Sequence, residues 1–450
     1  MTGKVTYVAI LADESIHPQY ERALEEVKED LGREWPMYIG GKETYTGGKF
    51  EKRSPIDVNI LIGKFQRGSG EEFSRALDEA IKAFREWSRL DWKDRAKVMG
   101  RLADLIERDR FRLAALITYE VGKNRYEALA EVHEAIDVVR YYVDLIHKVN
   151  GFEEPMQSPV PGERPVSVLR PYGGAWAVIS PFNFPIALAK GMLTGGVLLM
   201  GNTAVWKPTS EAPLTAIMLY KLMIEAGIPP GVVNLVTGPG ESFEDAIVAN
   251  PKVAGIAFTG GSRDVGMRLY RRFTQSQPWP KPIVLEMGSK NPVIVTAKAD
   301  LDKAAEGVVR AAFGYGGQKC SATSRVYVQR QVYDEFLNKL IEKTRQIVTV
   351  GDPRLRSTFL GPLINKRAQD NYRKYIADAV SAGGKVVYGG KVLESGGEFA
   401  RGYYVEPAII TNLPRGNYLW YTELFVPILL VDTFETLEEP WPRPTTRSTA

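Results

Sequence analysis

Cysteine is the scarcest residue that this 450-residue chain contains, with Cys320 its only one. A single thiol cannot form an internal disulfide or build a multi-cysteine metal site, which leaves inert packing, redox sensing or nucleophilic catalysis. Histidine is nearly as rare: His17, His133 and His147 are too scattered for a metal centre, and no metal-ligand spacing occurs anywhere. No long uninterrupted apolar run is present either. The longest, Ile186 to Trp206, contains Lys190, four glycines and Asn202, and it predicts a core helix followed by a buried strand, not a membrane span. No block of five or more like charges appears, and Lys plus Arg exceed Asp plus Glu only by 58 to 54, which argues against a nucleic-acid partner. The opening Met-Thr-Gly-Lys-Val-Thr-Tyr lacks a basic region followed by an apolar stretch, so a cytoplasmic protein is expected over a secreted one.

What is present fits an ordinary globular protein of two or three domains, 44% hydrophobic and 25% charged. The first 150 residues read as mostly helical. Phe73, Leu77, Ala80, Ile81 and Phe84 mark one helix face, Asp91 starts a second helix, and Arg125 to Val149 forms a third. Prolines 155, 159, 161 and 165 break this pattern and predict a linker or projecting arm. From residue 166 short β-rich runs alternate with helices: Val166–Leu169, Trp176–Ile179, Thr203–Trp206, Val232–Val236, Gly255–Phe258 and Ile283–Leu285. This rhythm predicts α/β architecture with a parallel sheet covered on both faces. A second alternating block, from Pro292 to Thr433, includes strands Val293–Thr296, Arg325–Gln329, Lys385–Tyr388 and Phe425–Val431. Residues 440–450, rich in proline, predict an irregular tail.

Ligands of parallel sheets bind beyond the carboxyl ends of the strands, so the residues there are candidates. Lys207 and Ser210 follow one strand and suit a ribose, although a lone lysine is more often a surface residue. Gly238 and Gly240 follow the next strand and precede a helix, where backbone N–H groups can meet a phosphate; many such turns are purely structural. Phe258-Thr-Gly-Gly-Ser262 is a third turn of this type, and three in succession point to a nucleotide. Glu286 leaves a strand expected to be buried, which would raise its pKa and suit a general base, or it pairs with Lys290. Asn183 either caps a helix or donates its amide to an oxyanion. Around Cys320, Gly314, Gly316 and Gly317 suit close approach of a ligand to the backbone, and Lys319 would favour thiolate.

Taken together, Pro181-Phe-Asn-Phe-Pro185, Lys207-Pro208, Phe258-Thr-Gly, Glu286-Met-Gly, Gly317-Gln-Lys-Cys320 and Glu423-Leu-Phe-Val-Pro427 resemble the aldehyde dehydrogenase superfamily in order and spacing. The resemblance covers roughly residues 35 to 437. It looks closest to the branch containing pyrroline-5-carboxylate (glutamate semialdehyde) dehydrogenases. It implies a Rossmann-type cofactor domain (1–154 and 171–285), an oligomerisation arm (155–170) and a second α/β catalytic domain (286–439). It also implies NAD(P)-dependent oxidation of an aldehyde to a carboxylic acid, with Cys320 as nucleophile, Asn183 and the Cys320 N–H as oxyanion donors, and Glu286 activating water. Ser180, Pro181, Lys207, Ser210, Gly238, Gly240, Phe258, Thr259, Gly260, Ser262, Glu423 and Phe425 would meet NADP or NAD. Ser210 stands where NAD-specific members often carry glutamate, so NADP is expected to be accepted. A small aldehyde is the implied partner, and family members commonly form homo-oligomers.

The chain departs from the family pattern at Glu244, Gly261, Ser289 and Val426, each at or beside a motif glycine. It also ends soon after Glu439, before the family's usual continuation, so the catalytic domain is expected to be incomplete. The alternatives are an inactive binding or structural protein of the same fold, and an enzyme passing its acyl group to coenzyme A or phosphate; Glu286 argues against the second.

Overall fold

The strands Ala175–Ser180, Thr203–Pro208, Val233–Leu235, Val253–Thr259 and Ile283–Glu286 lie side by side and all run parallel. They belong to a computed structural model that describes residues 10, 13–260 and 263–439. Ser262, Gly261 and the 440–450 tail lie outside the described residues. Runs such as Ala175-Trp-Ala-Val and Val253-Ala-Gly-Ile-Ala-Phe are buried without alternation, as strands covered on both faces require.

Across the sheet the order is Ile283–Glu286, Val253–Thr259, Ala175–Ser180, Thr203–Pro208, Val233–Leu235. The chain steps outward from Ala175–Ser180 in one direction, then returns to its other side with Val253–Thr259. The reversal makes a topological switch point at the carboxyl ends of Ala175–Ser180 and Val253–Thr259.

Contacts divide the chain into two compact units. The first comprises residues up to Lys52, Leu61–Glu120 and Ala128–Glu286; the second comprises Arg53–Ile60, Val121–Glu127 and the chain from Met287. Residues 53–60 and 121–127 thus belong with the second unit, although the sequence reading places them in the first, and Glu286 closes the first unit.

Helices of the first unit start where the sequence says they should. Ser69 accepts from Glu71 N at 3.2 Å while Glu72 Oε2 accepts from Ser69 N at 2.8 Å, a reciprocal cap for Gly70–Trp87. Phe73, Ala76, Leu77 and Ala80 form its buried face. Asp91 caps Trp92–Arg108 by accepting from Lys93 N at 2.8 Å.

The N-terminal region is less helical than its pattern suggests. Met37–Ile39 and Lys42–Thr44 form a hairpin that extends the main sheet antiparallel to Val233–Leu235. Gly40 and Gly41, with φ of 60° and 79°, make the tight turn that right-twisted strands favour. Strands of three residues carry no readable periodicity; the glycine pair is the only signal. Val166–Val168 does not join the parallel sheet but pairs antiparallel with Glu153–Pro155 in a separate ribbon, with the prolines between them. Ile186–Trp206 begins as the expected helix, widens into a π turn over Met192–Leu198, and ends in the buried strand. Among the described residues no helix is long and apolar enough to cross a membrane.

The second unit has its own sheet, ordered Asn291–Val295, Thr323–Gln329, Ile428–Phe434, Ala408–Thr411, Lys385–Tyr388, with only the last strand antiparallel. Val326, Val328, Leu429 and Val431 pack against Phe313, Phe336 and Leu340 of its helices. The strand expected at Phe425–Val431 starts at Ile428, because Phe425 adopts a left-handed φ of 56° and Pro427 has no N–H to pair.

Candidate active site

In the first unit, the sheet register aligns the candidate residues along one edge. Ile179 lies opposite Lys207, Ser180 opposite Pro208, Phe258 opposite Ile179, and Thr259 opposite Glu286. Pro181 and Asn183 follow directly after Ser180. Gly260 N donates to Glu286 O at 3.0 Å, and Trp206 Nε1 donates to Ser180 Oγ at 2.9 Å, so neighbouring strand ends are tied together. Phe258 is buried, and the Thr259 hydroxyl lies 3.3 Å from Met192 Sδ.

Lys207 is not the surface lysine that residue type alone suggests. It is 5% exposed, its Nζ donates to Pro208 O at 2.8 Å, and burial pushes its pKa down to about 8. It lies over the Phe243 ring, on the helix that Gly240 opens. Ser210 Oγ donates to Gly238 O at 2.9 Å. Gly238 has a φ of 144°, and a Cβ there would stand 3.1 Å from Gly68 backbone atoms. Only glycine suits that turn.

Two open readings in this unit are settled by hydrogen bonds. Asn183 does not cap the following helix: Glu131, on Arg125–Lys148, accepts from Ile186 N at 2.9 Å and Ala187 N at 3.4 Å. Asn183 itself is buried. Glu244, at the position of a family glycine, turns toward the neighbouring helix, where Arg268 Nη2 donates to it at 2.7 Å and Arg272 Nη1 at 2.8 Å. Glu286 differs from expectation. Its strand is the sheet's edge, half-exposed instead of buried, and Glu286 itself is exposed. The burial expected of it is therefore missing.

In the second unit, Cys320 sits in a turn from Lys319 to Ala322, closed by Ala322 N donating to Lys319 O at 3.0 Å, and it is partly exposed. The approach is left-handed at Tyr315, Gly316 and Gly317. These glycines make room for the protein's own chain: a Cβ on Gly317 would lie 2.8 Å from Val426 O, and one on Gly314 would lie 2.8 Å from Glu127 Oε1. Lys319 also behaves differently from its reading, since its Nζ pairs with Glu127 Oε2 at 2.6 Å and its charge is largely matched.

Glu423 borders a cleft that Ser289, Lys319, Thr323 and Phe425 also line. Its Oε1 accepts from Ser289 N at 3.0 Å, and a Cβ on Gly288 would collide with its carboxylate. Burial pushes its pKa up to about 7, against the opposing pull of the Ser289 hydrogen bond and Lys290. Lys290 is buried with no hydrogen-bond partner among the described residues, and burial lowers its pKa to about 7. The carboxylate whose charge opposes that shift is Glu423. Among the described residues no group of three metal-ligating side chains could hold an ion.

A nucleotide-type sheet edge and a thiol on a shaped turn are the parts of an oxidoreductase that works through a covalent adduct. Residues 43–441 match the aldehyde dehydrogenase family model. The chain belongs to the aldehyde dehydrogenase family. It is 37% identical over 411 residues to 1-pyrroline-5-carboxylate dehydrogenase of Geobacillus thermodenitrificans, covering 90% of this chain and 77% of that protein. Among solved structures it resembles 1-pyrroline-5-carboxylate dehydrogenase from Thermus with bound NAD, at 34% identity and a TM-score of 0.87, covering 94% of this chain and 81% of that one. Betaine aldehyde dehydrogenase from Staphylococcus aureus in complex with NAD+ is similar at 29% identity and a TM-score of 0.85, covering 91% and 80%. The activity of this aldehyde dehydrogenase is NAD(P)-dependent aldehyde oxidation. Sequence reasoning missed Glu127, Glu131 and Asn291. The two glutamates carry no local motif, and Asn291 is marked only by its place at a strand start before Pro292.

Proposed function

We propose that this chain oxidises glutamate semialdehyde, the open form of 1-pyrroline-5-carboxylate, to glutamate. The observation that carries this substrate is the 37% identity, over 411 residues, to a 1-pyrroline-5-carboxylate dehydrogenase. In this reading the Cys320 thiolate attacks the aldehyde carbon, and the Asn183 amide with the Cys320 N–H holds the oxyanion. A nicotinamide held there would supply the hydride acceptor, and Cys320 would carry the oxidised acyl group as a thioester. Glu286 then takes a proton from water, which adds to the thioester carbonyl; collapse expels the thiolate and releases the carboxylate. The exposed Glu286 suits a base that must exchange its proton with solvent.

Lys207 and Ser210 would hold the adenosine ribose, Gly238 and Gly240 the phosphates, and Glu423 the nicotinamide ribose, with Phe425 beside the ring. Ser180, Pro181, Phe258, Thr259, Gly260 and Ser262 would complete the cofactor contacts. The donor set fits a dinucleotide: a buried cation, a helix start free of side chain at Gly240, and a carboxylate over a bare glycine. The exposed ribbon residues Val166, Val168 and Leu169 would serve association of subunits into a homo-oligomer, and the cytoplasm would be its compartment.

An aldehyde panel read by nicotinamide reduction tests this. Glutamate semialdehyde should exceed a simple aliphatic aldehyde and betaine aldehyde in kcat/KM by about tenfold or more, and Cys320→Ala should lose at least about a thousandfold. Equal or better turnover of the other aldehydes would refute the substrate, and an active Cys320→Ala would refute the nucleophile.

A further inference from the structure

The turn carrying Cys320 presents two carbonyls, those of Cys320 and Ala322, to the start of strand Asn291–Val295. One side chain holds both: Asn291 Nδ2 donates to Cys320 O at 2.7 Å and to Ala322 O at 3.0 Å. The same Nδ2 lies 2.8 Å from Ser289 Oγ, whose own hydroxyl donates to Cys320 O. The Cys320 carbonyl therefore receives two donors, and Ser289 and Asn291 brace one another.

Local geometry explains why Asn291 reaches this turn. Asn291 pairs with Thr323, but Pro292 pairs with Arg325, so the register slips by one residue between them. Pro292 has no N–H to give the ladder, and such an irregularity re-aims the side chain beside it. Ser289 is tethered through its own N–H, which donates to Glu423 Oε1 at 3.0 Å, while its hydroxyl donates to Cys320 O.

We infer that Asn291, braced by Ser289, is a positioning residue for Cys320: it fixes the peptide that sets the direction of the thiol. Ser289 is the residue that this chain carries in place of a motif glycine, so the second donor is a feature of this sequence. The inference rests on Cys320 being the nucleophile. A misdirected nucleophile loses rate steeply while substrate binding is little affected.

The test compares the full chain with Asn291→Ala, Ser289→Ala and the double variant. Steady-state kinetics and the rate of Cys320 alkylation by iodoacetamide at one pH are measured, with thermal unfolding as a control. Asn291→Ala should lower kcat by about tenfold or more and change the alkylation rate several-fold, with KM for NAD(P) within about twofold. Ser289→Ala should move both readouts in the same direction but less, because the amide remains on the carbonyl. The double variant should resemble Asn291→Ala, as expected for residues serving one clamp. A kcat and alkylation rate for Asn291→Ala within about twofold of the parent would overturn the inference, as would a loss matching a fall in folded fraction. An active Cys320→Ala would instead sink the reading on which it rests.

Discussion

In the proposed cofactor site Ser210 is a small neutral residue where a carboxylate would face the 2′ position of the adenosine ribose. Its hydroxyl already donates to Gly238 O, so it braces the Gly238 turn without contributing charge. The nearest acidic neighbour in sequence, Glu211, has its carboxylate bonded by Lys52 Nζ at 2.6 Å. Nothing at Ser210 therefore repels a 2′-phosphate. Ser210→Glu should lower kcat/KM for NADP by about tenfold, with a smaller change for NAD, since two like charges at this range cost about 1–2 kcal/mol. Unchanged NADP kinetics would contradict the assignment. Residues of this kind were legible because strand ends in α/β sheets announce where ligands bind. The electrostatic settings were not: Lys319 was readable as a neighbour of the thiol, but its partner Glu127 lies 192 positions away. The expected burial of Glu286 failed for a similar reason, since an apolar tripeptide does not reveal whether its strand is central or at an edge.

Helix starts and the π turn define the next scale. Helices Gly70–Trp87 and Trp92–Arg108 carry their caps in sequence, Ser69 and Asp91, and both were readable. Two helices that follow strands of the first sheet do not. Glu120 caps Pro213–Glu225 by accepting from Leu214 N at 2.7 Å and Thr215 N at 2.8 Å, and Glu131 does the same for the helix after Asn183. Each carboxylate arrives from a helix far back in the chain, so local motifs cannot show it. On the capped element, Lys190 has its ammonium buried without a hydrogen-bond partner among the described residues, and burial alone lowers its pKa from 10.5 to about 7. Below about pH 7 folded and unfolded forms both hold the proton, and the fold bears the full cost of that charge. Above it the folded form releases the proton first, and the cost fades until about pH 10.5. Lys190→Met, which keeps length and apolar volume, should therefore raise the unfolding temperature most near about pH 6 and least near about pH 10. A variant that is less stable than the parent, or whose gain ignores pH, would contradict this account.

Across the whole chain, the alternation of apolar strands with capped helices was enough to predict two α/β sheets, and each unit holds one. The reversal of strand order needed the structure, because no residue states which side of Ala175–Ser180 the strand Val253–Thr259 will take. The hairpin at residues 37–44 and strand Ala408–Thr411 escaped notice because segments of three or four residues show no period. In the proposed mechanism Asn183 and Glu286 belong to the first unit, and Cys320 and Glu423 to the second. Their joint role is best tested with Glu286→Gln, which removes the proposed water-activating carboxylate while leaving the thiol. Mixed rapidly with aldehyde and NAD(P), then quenched in acid, this variant should give a burst of about one reduced nicotinamide per chain. Peptide mass mapping should find the substrate's acyl group as a thioester on the peptide containing Cys320. A burst without that adduct, or an adduct on any other residue, would contradict the account.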